Sequence, residues 1–420
     1  MPRYNHHMRR TLFLLLWLMG LWLPVADVTR AAQPTLLVVQ AGDTWAALAM
    51  RYSLPESELR ALNPHQNAGR QPAIGQTLNL PEGAAERTGS LRRSNDGGLV
   101  QTAAGEGLSA WGLAAANGLT SPYRPTFYRP IYLPGEGAIR DLPLGMTVLE
   151  LSQTPAAPGM ALGMRGALAA PLPVTAELDA LPFASTTIDD GRFAGVVGTG
   201  AFYAGGEPEL VMRVGDGPTW SQPLQFADRE WEYQELTLTG EAAEIDQQAR
   251  DEERARLREI WTQITPTPQW AGAFVTPIAD FLQVSANYGA RRSYNGGPYL
   301  TYHEGVDYSA YAGTPVFAPA AGTVVLAEPL YVRGGAVILD HGLGVYTGYY
   351  HLSAIHATAG QQVQPGDVLG EVGTTGLSTG NHLHWDMLIN GVWVDAALWQ
   401  EQDLGCWLLT GLGDECPPPA

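Results

Sequence analysis

Six of the nine histidines in this 420-residue chain fall between His303 and His384. Four of them sit in three short patterns: His303-Glu304-Gly305-Val306-Asp307, Tyr349-Tyr350-His351-Leu352-Ser353 and Asn381-His382-Leu383-His384. Imidazole and carboxylate are ligands suited to Zn2+, and a catalytic zinc site needs three protein ligands and one open position. Such an ion lowers the pKa of bound water to about 7 and polarises a scissile carbonyl. A histidine of unperturbed pKa about 6.5 then suits proton transfer at neutral pH. The chemistry indicated is metal-assisted hydrolysis. In a strand, residues i and i+2 share a face, so His382 and His384 look into one groove with Leu383 packed behind. One of the two can ligate while the other stays free to move protons. His303 and Asp307 lie four apart around Gly305, and a short bend there lets both reach one ion. Each pattern alone is weak, because two histidines spaced by one residue are more often structural than catalytic.

The elements that must position these residues read as β. Residues 278 to 398 alternate short apolar runs, such as Thr323-Val324-Val325-Leu326 and Ala336-Val337-Ile338-Leu339, with glycine turns and show no long helical period. From about Trp270 to Trp399 the chain resembles the lysostaphin/LytM-type zinc endopeptidases of bacterial cell walls. The residues that carry the resemblance include Phe281, Tyr288-Gly289-Ala290-Arg291-Arg292, His303-Glu304-Gly305-Val306-Asp307 and Gly313-Thr314-Pro315-Val316. They continue with Ala318-Pro319-Ala320-Ala321-Gly322-Thr323-Val324, Asp340-His341-Gly342, Tyr350-His351-Leu352, Gly376-Leu377-Ser378-Thr379-Gly380 and His382-Leu383-His384.

The resemblance implies an antiparallel β-sheet metallopeptidase domain of the duplicated hybrid motif type. It implies zinc held by His303, Asp307 and His384, with His351 and His382 as a catalytic pair beside it. These two would accept the water proton, stabilise the tetrahedral intermediate and protonate the leaving amine, with the division between them left open. Asn381 stands where the family often has proline. Glu304 reads as a neighbour of the site or a surface residue, because its spacing is not that of a helical His-Glu-x-x-His base. Asp386 reads either as a partner of His384 or as a packing residue. His341 and His356 read as bystanders. Tyr294, Tyr299 and Tyr302 line a substrate groove or simply pack.

Residues 36 to 81 predict a compact strand-helix-helix-strand unit. Its helices follow the Ala41-Gly42-Asp43-Thr44 turn and Leu54-Pro55, and Asn63-Pro64 ends the second. This unit resembles the LysM module on Val39, that turn, Trp45, Leu48, Ala49, Tyr52, Leu59, Leu62-Asn63-Pro64 and Ile74-Gly75-Gln76-Thr77-Leu78. The resemblance implies binding of N-acetylglucosamine-containing glycans such as peptidoglycan, through Gly42, Asp43, Thr44, Asn63 and Pro64. A worn second copy is expected at residues 101 to 135, without an equivalent of the Asn-Pro pair, and residues 82 to 100 read as a linker.

Residues 141 to 239 read as a β-sandwich-like spacer with Glu235 to Thr239 as its final strand. Glu241 to Ile264 reads as a charged helix with one apolar stripe, Leu257, Ile260, Trp261 and Ile264. The peptidase domain is expected over residues 266 to 400 and a C-terminal tail over 401 to 420. The fold class expected is therefore mainly β and multidomain.

A net charge of −18 argues against a duplex nucleic-acid partner. Arg3, Arg9 and Arg10 followed by the apolar run Leu12 to Leu23 read as an export signal or a membrane anchor over residues 1 to 32, placing the rest outside the cytoplasm. In an exported chain, Cys406 and Cys416 are expected to form a local disulfide. The expected function is an exported, LysM-anchored zinc endopeptidase of peptidoglycan cross-bridges or stem peptides. The alternatives are a catalytically inactive wall-binding activator of a separate amidase, and a structural wall-binding module.

Overall fold

The computed structural model describes residues 35–65, 69–93, 98–126, 130–189, 191–237, 247–401 and 403–412. The expected export segment and Cys416 lie outside the described residues. The chain is mainly β.

The strand Thr35–Val38 and the strand Thr77–Leu80 pair antiparallel around helices Trp45–Arg51 and Glu56–Leu62. Thr44 caps the first helix by accepting from the Ala47 N–H at 3.2 Å. Asn63 closes the second, its amide donating to the Leu59 and Asn79 carbonyls and accepting from the Asn79 N–H. The same order recurs as strand Thr88–Arg93, helices Leu99–Gly105 and Ala110–Ala116, and strand Pro130–Ala138. This second unit starts at Thr88, inside the stretch read as a linker. Its first strand carries one apolar residue, Leu91, so backbone pairing to Pro130–Ala138 defines it and no hydrophobic period does. Asn117 does the work of Asn63: it donates to the Leu113 and Tyr132 carbonyls and accepts from the Tyr132 N–H. The equivalent of the Asn-Pro pair is thus Asn117-Gly118.

Two four-stranded antiparallel sheets follow. One holds strands Met146–Leu151, Ala161–Leu168, Arg192–Gly198 and Ala184–Thr187; the other holds Trp220–Pro223, Glu209–Val214, Val174–Leu178 and Leu181–Pro182. They enclose a core that includes Leu162, Met164, Phe193, Leu178, Leu210, Met212 and Trp220. The final strand expected here is corrected. Tyr233–Leu236 pairs in parallel with Arg291–Tyr294 of the C-terminal region, because alternation marks a strand without marking its partner.

The C-terminal region is built on an eight-stranded antiparallel sheet. Its central strands are Gly305–Ser309, His382–Ile389, Val345–Leu352 and Gly334–Asp340, in that spatial order. Tyr349, Trp385, Met387 and Ile389 face a core shared with Ala161, Ala184, Ala194 and Val196 of the sandwich. The opposite face, with Ala336, Ile338, Tyr346, Tyr350 and Leu388, is covered by Leu257 and Trp261 of the helix Gln247–Trp261. That helix ends before Ile264, which is half exposed, since Thr265-Pro266 pulls the chain out of helical geometry. Residues 241–246 of the expected helix lie outside the described residues. The described part of the expected tail packs inward: Leu404 and Leu408, on the helix Leu404–Leu409, are buried in the same core, and Arg165 donates to the Trp407 carbonyl.

Gly305 opens the strand that pairs with His382–Ile389, and a Cβ there would meet the Trp385 carbonyl oxygen at 2.3 Å. Gly305→Ala is expected to force these strands apart at a cost of about 1–3 kcal/mol or more, read as a lower midpoint in denaturant unfolding.

Candidate metal centre and active site

The strand register sets Asp307 opposite His384 and His384 opposite Tyr350. His303 precedes the Gly305–Ser309 strand. It is anchored by its own N–H to the Ala290 carbonyl at 2.8 Å and by ring Nδ1 to the Asn287 carbonyl at 2.9 Å. Three atoms then converge. His303 Nε2 lies 3.0 Å from Asp307 Oδ1 and 3.0 Å from His384 Nδ1, and His384 Nδ1 lies 2.8 Å from the same Asp307 oxygen. All three side chains are largely buried.

These residues fit a metal ion. The Asn287 carbonyl can only accept, so His303 Nδ1 carries the proton and the neutral ring presents a bare Nε2 lone pair to the cluster. That lone pair faces an anionic oxygen and a second ring nitrogen. A cation reconciles the three, and they are a two-nitrogen, one-oxygen donor set. Burial would raise the Asp307 carboxyl, but the adjoining His303 and His384 rings hold it well below the usual carboxylate range.

His382 shares the groove face with His384, as the i, i+2 spacing requires, and its Nε2 lies 3.7 Å from Asp307 Oδ1. Its Nδ1 donates to the Gly380 carbonyl at 2.8 Å. The His351 and His382 rings are 4.8 Å apart between centroids. His351 Nδ1 donates to the Thr375 carbonyl at 2.7 Å, so both rings are held at Nδ1 and turn Nε2 away from their anchors. Burial, with His382 and His384 beside it, pushes the His351 ring down to about 3 and keeps it neutral. The five predicted residues thus form one cluster at one end of the sheet.

The other candidates separate. His341 is buried away from the cluster between the Ala321 carbonyl and Thr347. His356 pairs with Glu371 near the surface. Glu304 bridges Arg254 and Arg333 at 2.7 and 3.3 Å and does not act as a base in this arrangement. Asp386 accepts from Trp393 Nε1 at 2.9 Å and from Tyr350 at 3.5 Å. Tyr294 and Tyr302 line the groove, whereas Tyr299 meets Tyr233 edge to face. Of the LysM candidates, Gly42, Asp43, Thr44 and Asn63 are buried and Pro64 is exposed. Cys406 is buried on its helix.

Sequence reasoning missed three supporting side chains. Arg292 donates to Asp307 Oδ2 at 3.4 Å, which leaves Oδ1 to face the histidines. Glu253, on the Gln247–Trp261 helix, accepts from the Val332 and Arg333 N–H groups at 2.7 and 3.2 Å and from the Arg333 guanidinium at 3.3 Å. The Arg333 carbonyl in turn accepts from the His351 N–H at 2.9 Å. Glu253, Leu257 and Trp261 recur every four residues, so a lone acid on the apolar stripe was the available signal.

Residues 301–396 match the model of Peptidase family M23, and residues 37–81 match the LysM domain. The chain therefore carries an M23 peptidase domain and a LysM domain. It is 35% identical over 120 residues to the peptidoglycan DD-endopeptidase ShyC of Vibrio cholerae, a match covering 29% of this chain and 28% of that protein. It is 47% identical over 89 residues to the DD-carboxypeptidase/endopeptidase Mpg of Neisseria meningitidis, covering 21% and 20%. The chain thus spans less than a third of the length of either relative. The catalytic domain of lysostaphin from Staphylococcus simulans aligns at 27% identity and TM-score 0.23, over 32% of this chain and 92% of that one.

Glu253→Ala strands a buried guanidinium and two backbone donors. It is expected to cost about 3–5 kcal/mol in denaturant unfolding and to lower kcat more than it raises KM. Glu253→Gln, which keeps an acceptor, is expected to fall between the two.

Proposed function

We propose that this protein is an exported zinc endopeptidase that hydrolyses DD-peptide bonds in peptidoglycan, held to the wall through its LysM domain. The observation that carries this reading is the convergence of His303 Nε2, Asp307 Oδ1 and His384 Nδ1, with His351 and His382 beside them. Two imidazoles and a carboxylate with an open side suit zinc. The similarity to two proteins named as DD-endopeptidases supports the bond type. Among the described residues no helix is long and apolar enough to cross a membrane.

The metal, when bound by His303, Asp307 and His384, supplies polarisation of the scissile carbonyl and acidification of the attacking water. The chain's residues do the rest. Arg292 holds Asp307 so that one oxygen faces the ligand cluster. His351 and His382 present Nε2 atoms placed to accept the water proton and return it to the leaving amine. The Thr375 and Gly380 carbonyls fix the tautomers that make this available.

Digestion of purified peptidoglycan, with the new termini identified by mass spectrometry, is expected to show cleavage of DD-cross-links. Chelation is expected to abolish it and zinc to restore it. His384→Ala should lose activity at least about 100-fold together with bound zinc. His351→Ala should lose about 10²–10⁴ in kcat while keeping zinc. A protein that purifies without zinc, leaves the wall intact and stimulates an amidase would establish the activator instead.

A further inference from the structure

The LysM turn offers its own binding groups to another part of the chain. Gln222, on the sandwich strand Trp220–Pro223, is fully buried with its carboxamide inserted between two LysM loops. Its Oε1 accepts from the Gly42 N–H at 2.9 Å. Its Nε2 donates to the Pro72 carbonyl at 3.0 Å and reaches the Asp43 carbonyl at 3.4 Å. The closure continues on both sides. Asp141 N–H donates to the Gly42 carbonyl at 2.7 Å, and Arg51 donates to the Ile139 carbonyl at 2.8 Å. Ile74 N–H donates to the Pro223 carbonyl at 2.8 Å, and Gln225 N–H returns a bond to Ile74 at 2.9 Å. The approach at Gly42 is close: a Cβ there would meet Leu142 at 2.8 Å and Arg140 at 2.9 Å. Three of the five residues expected to meet glycan lie beneath this contact, and Asn63 spends its amide on the backbone.

The chemistry of the plug is specific. A primary carboxamide presents one planar C=O acceptor and an N–H donor on the adjacent atom. The acetamido group of an N-acetylated sugar presents the same pair. The notch supplies their complements, a backbone N–H from one loop and a backbone C=O from the other. We infer that Gln222 occupies, within the same chain, the notch that would take an acetamido group, so that docking of LysM on the sandwich and binding of N-acetylated glycan exclude one another. This rests on the proposed glycan-binding role of the LysM domain. Apparent glycan affinity then equals the intrinsic affinity scaled by the undocked fraction.

The test is binding of N-acetylchitotetraose to the full chain by titration calorimetry. Gln222→Ala leaves the notch open, and Gln222→Glu sets a carboxylate against the Pro72 and Asp43 carbonyls. Each is expected to bind the tetrasaccharide about tenfold or more tightly than the unmodified chain. In the unmodified chain, saturating tetrasaccharide is expected to speed amide hydrogen exchange at Ile74, Asp141 and Gln225, whose N–H groups bridge the docked parts. Either variant that unfolds at the assay temperature is set aside, and the exchange measurement on the unmodified chain then decides. Equal binding by unmodified and variant proteins, with exchange unchanged on saturation, overturns the exclusion while the glycan role stands. No binding by any form overturns the glycan role itself, and the exclusion with it.

Discussion

One carboxylate oxygen organises the C-terminal half of the molecule. Asp307 Oδ1 lies within 3.0 Å of two ring nitrogens and 3.7 Å of a third, in a site largely sealed from water. A buried anion is costly unless it is paired, and its pairing here is directional on both oxygens. Oδ2 is taken by Arg292, so Oδ1 is left to the histidines. The position of that oxygen follows from the antiparallel register that sets Asp307 against His384. A one-residue slip of the His382–Ile389 strand would send His382 and His384 to the face opposite Asp307.

The sheet that carries this register has no free face at its centre. The sandwich covers one side and the Gln247–Trp261 helix the other, which is why Gly334–Asp340 and Val345–Leu352 are buried along their whole length. Such strands read as continuous apolar runs. That made the β class of this region legible, and the i, i+2 pair made His382 and His384 legible as groove residues. What stayed hidden was contact between distant segments. Glu253 reaches Val332 and Arg333 from about eighty positions away, and nothing in an acid-rich helix marks it except its place on the apolar stripe. Tyr233–Leu236 alternates like any strand, and only the folded chain assigns it to Arg291–Tyr294. The second strand-helix-helix-strand unit was legible in its helices but not in its opening strand, since Thr88–Arg93 is held by backbone pairing across a polar surface.

The N-terminal unit shows how a binding motif can be read correctly as structure while its exposure goes unseen. Asp43 and Thr44 have local duties: Thr44 caps a helix, and Asp43 pairs with Arg51 and accepts from the Gln40 N–H. Those duties are written in consecutive residues. The cover over them comes from residues 139–142 and 220–225, and no pattern within the turn announces it. A tether adds local concentration only when it can engage its target. On the proposed glycan-binding role, the strand that carries Gln222 bears on affinity as directly as the turn does.

His351 carries the argument about where the peptidase unit begins. Its backbone is left-handed, φ 63°, a conformation that costs a non-glycine residue about 1–2 kcal/mol. Such a position persists only when its surroundings over-determine it. Here the backbone N–H is held by the Arg333 carbonyl and the ring by the Thr375 carbonyl. The Arg333 turn is itself held by Glu253, whose two oxygens accept from consecutive backbone N–H groups. The residues matched to the M23 model start at 301, yet the contact that steadies His351 starts at Glu253 on the helix Gln247–Trp261. The packed surroundings of His351 therefore extend beyond the matched segment, because the turn that holds this strained histidine is anchored from outside it.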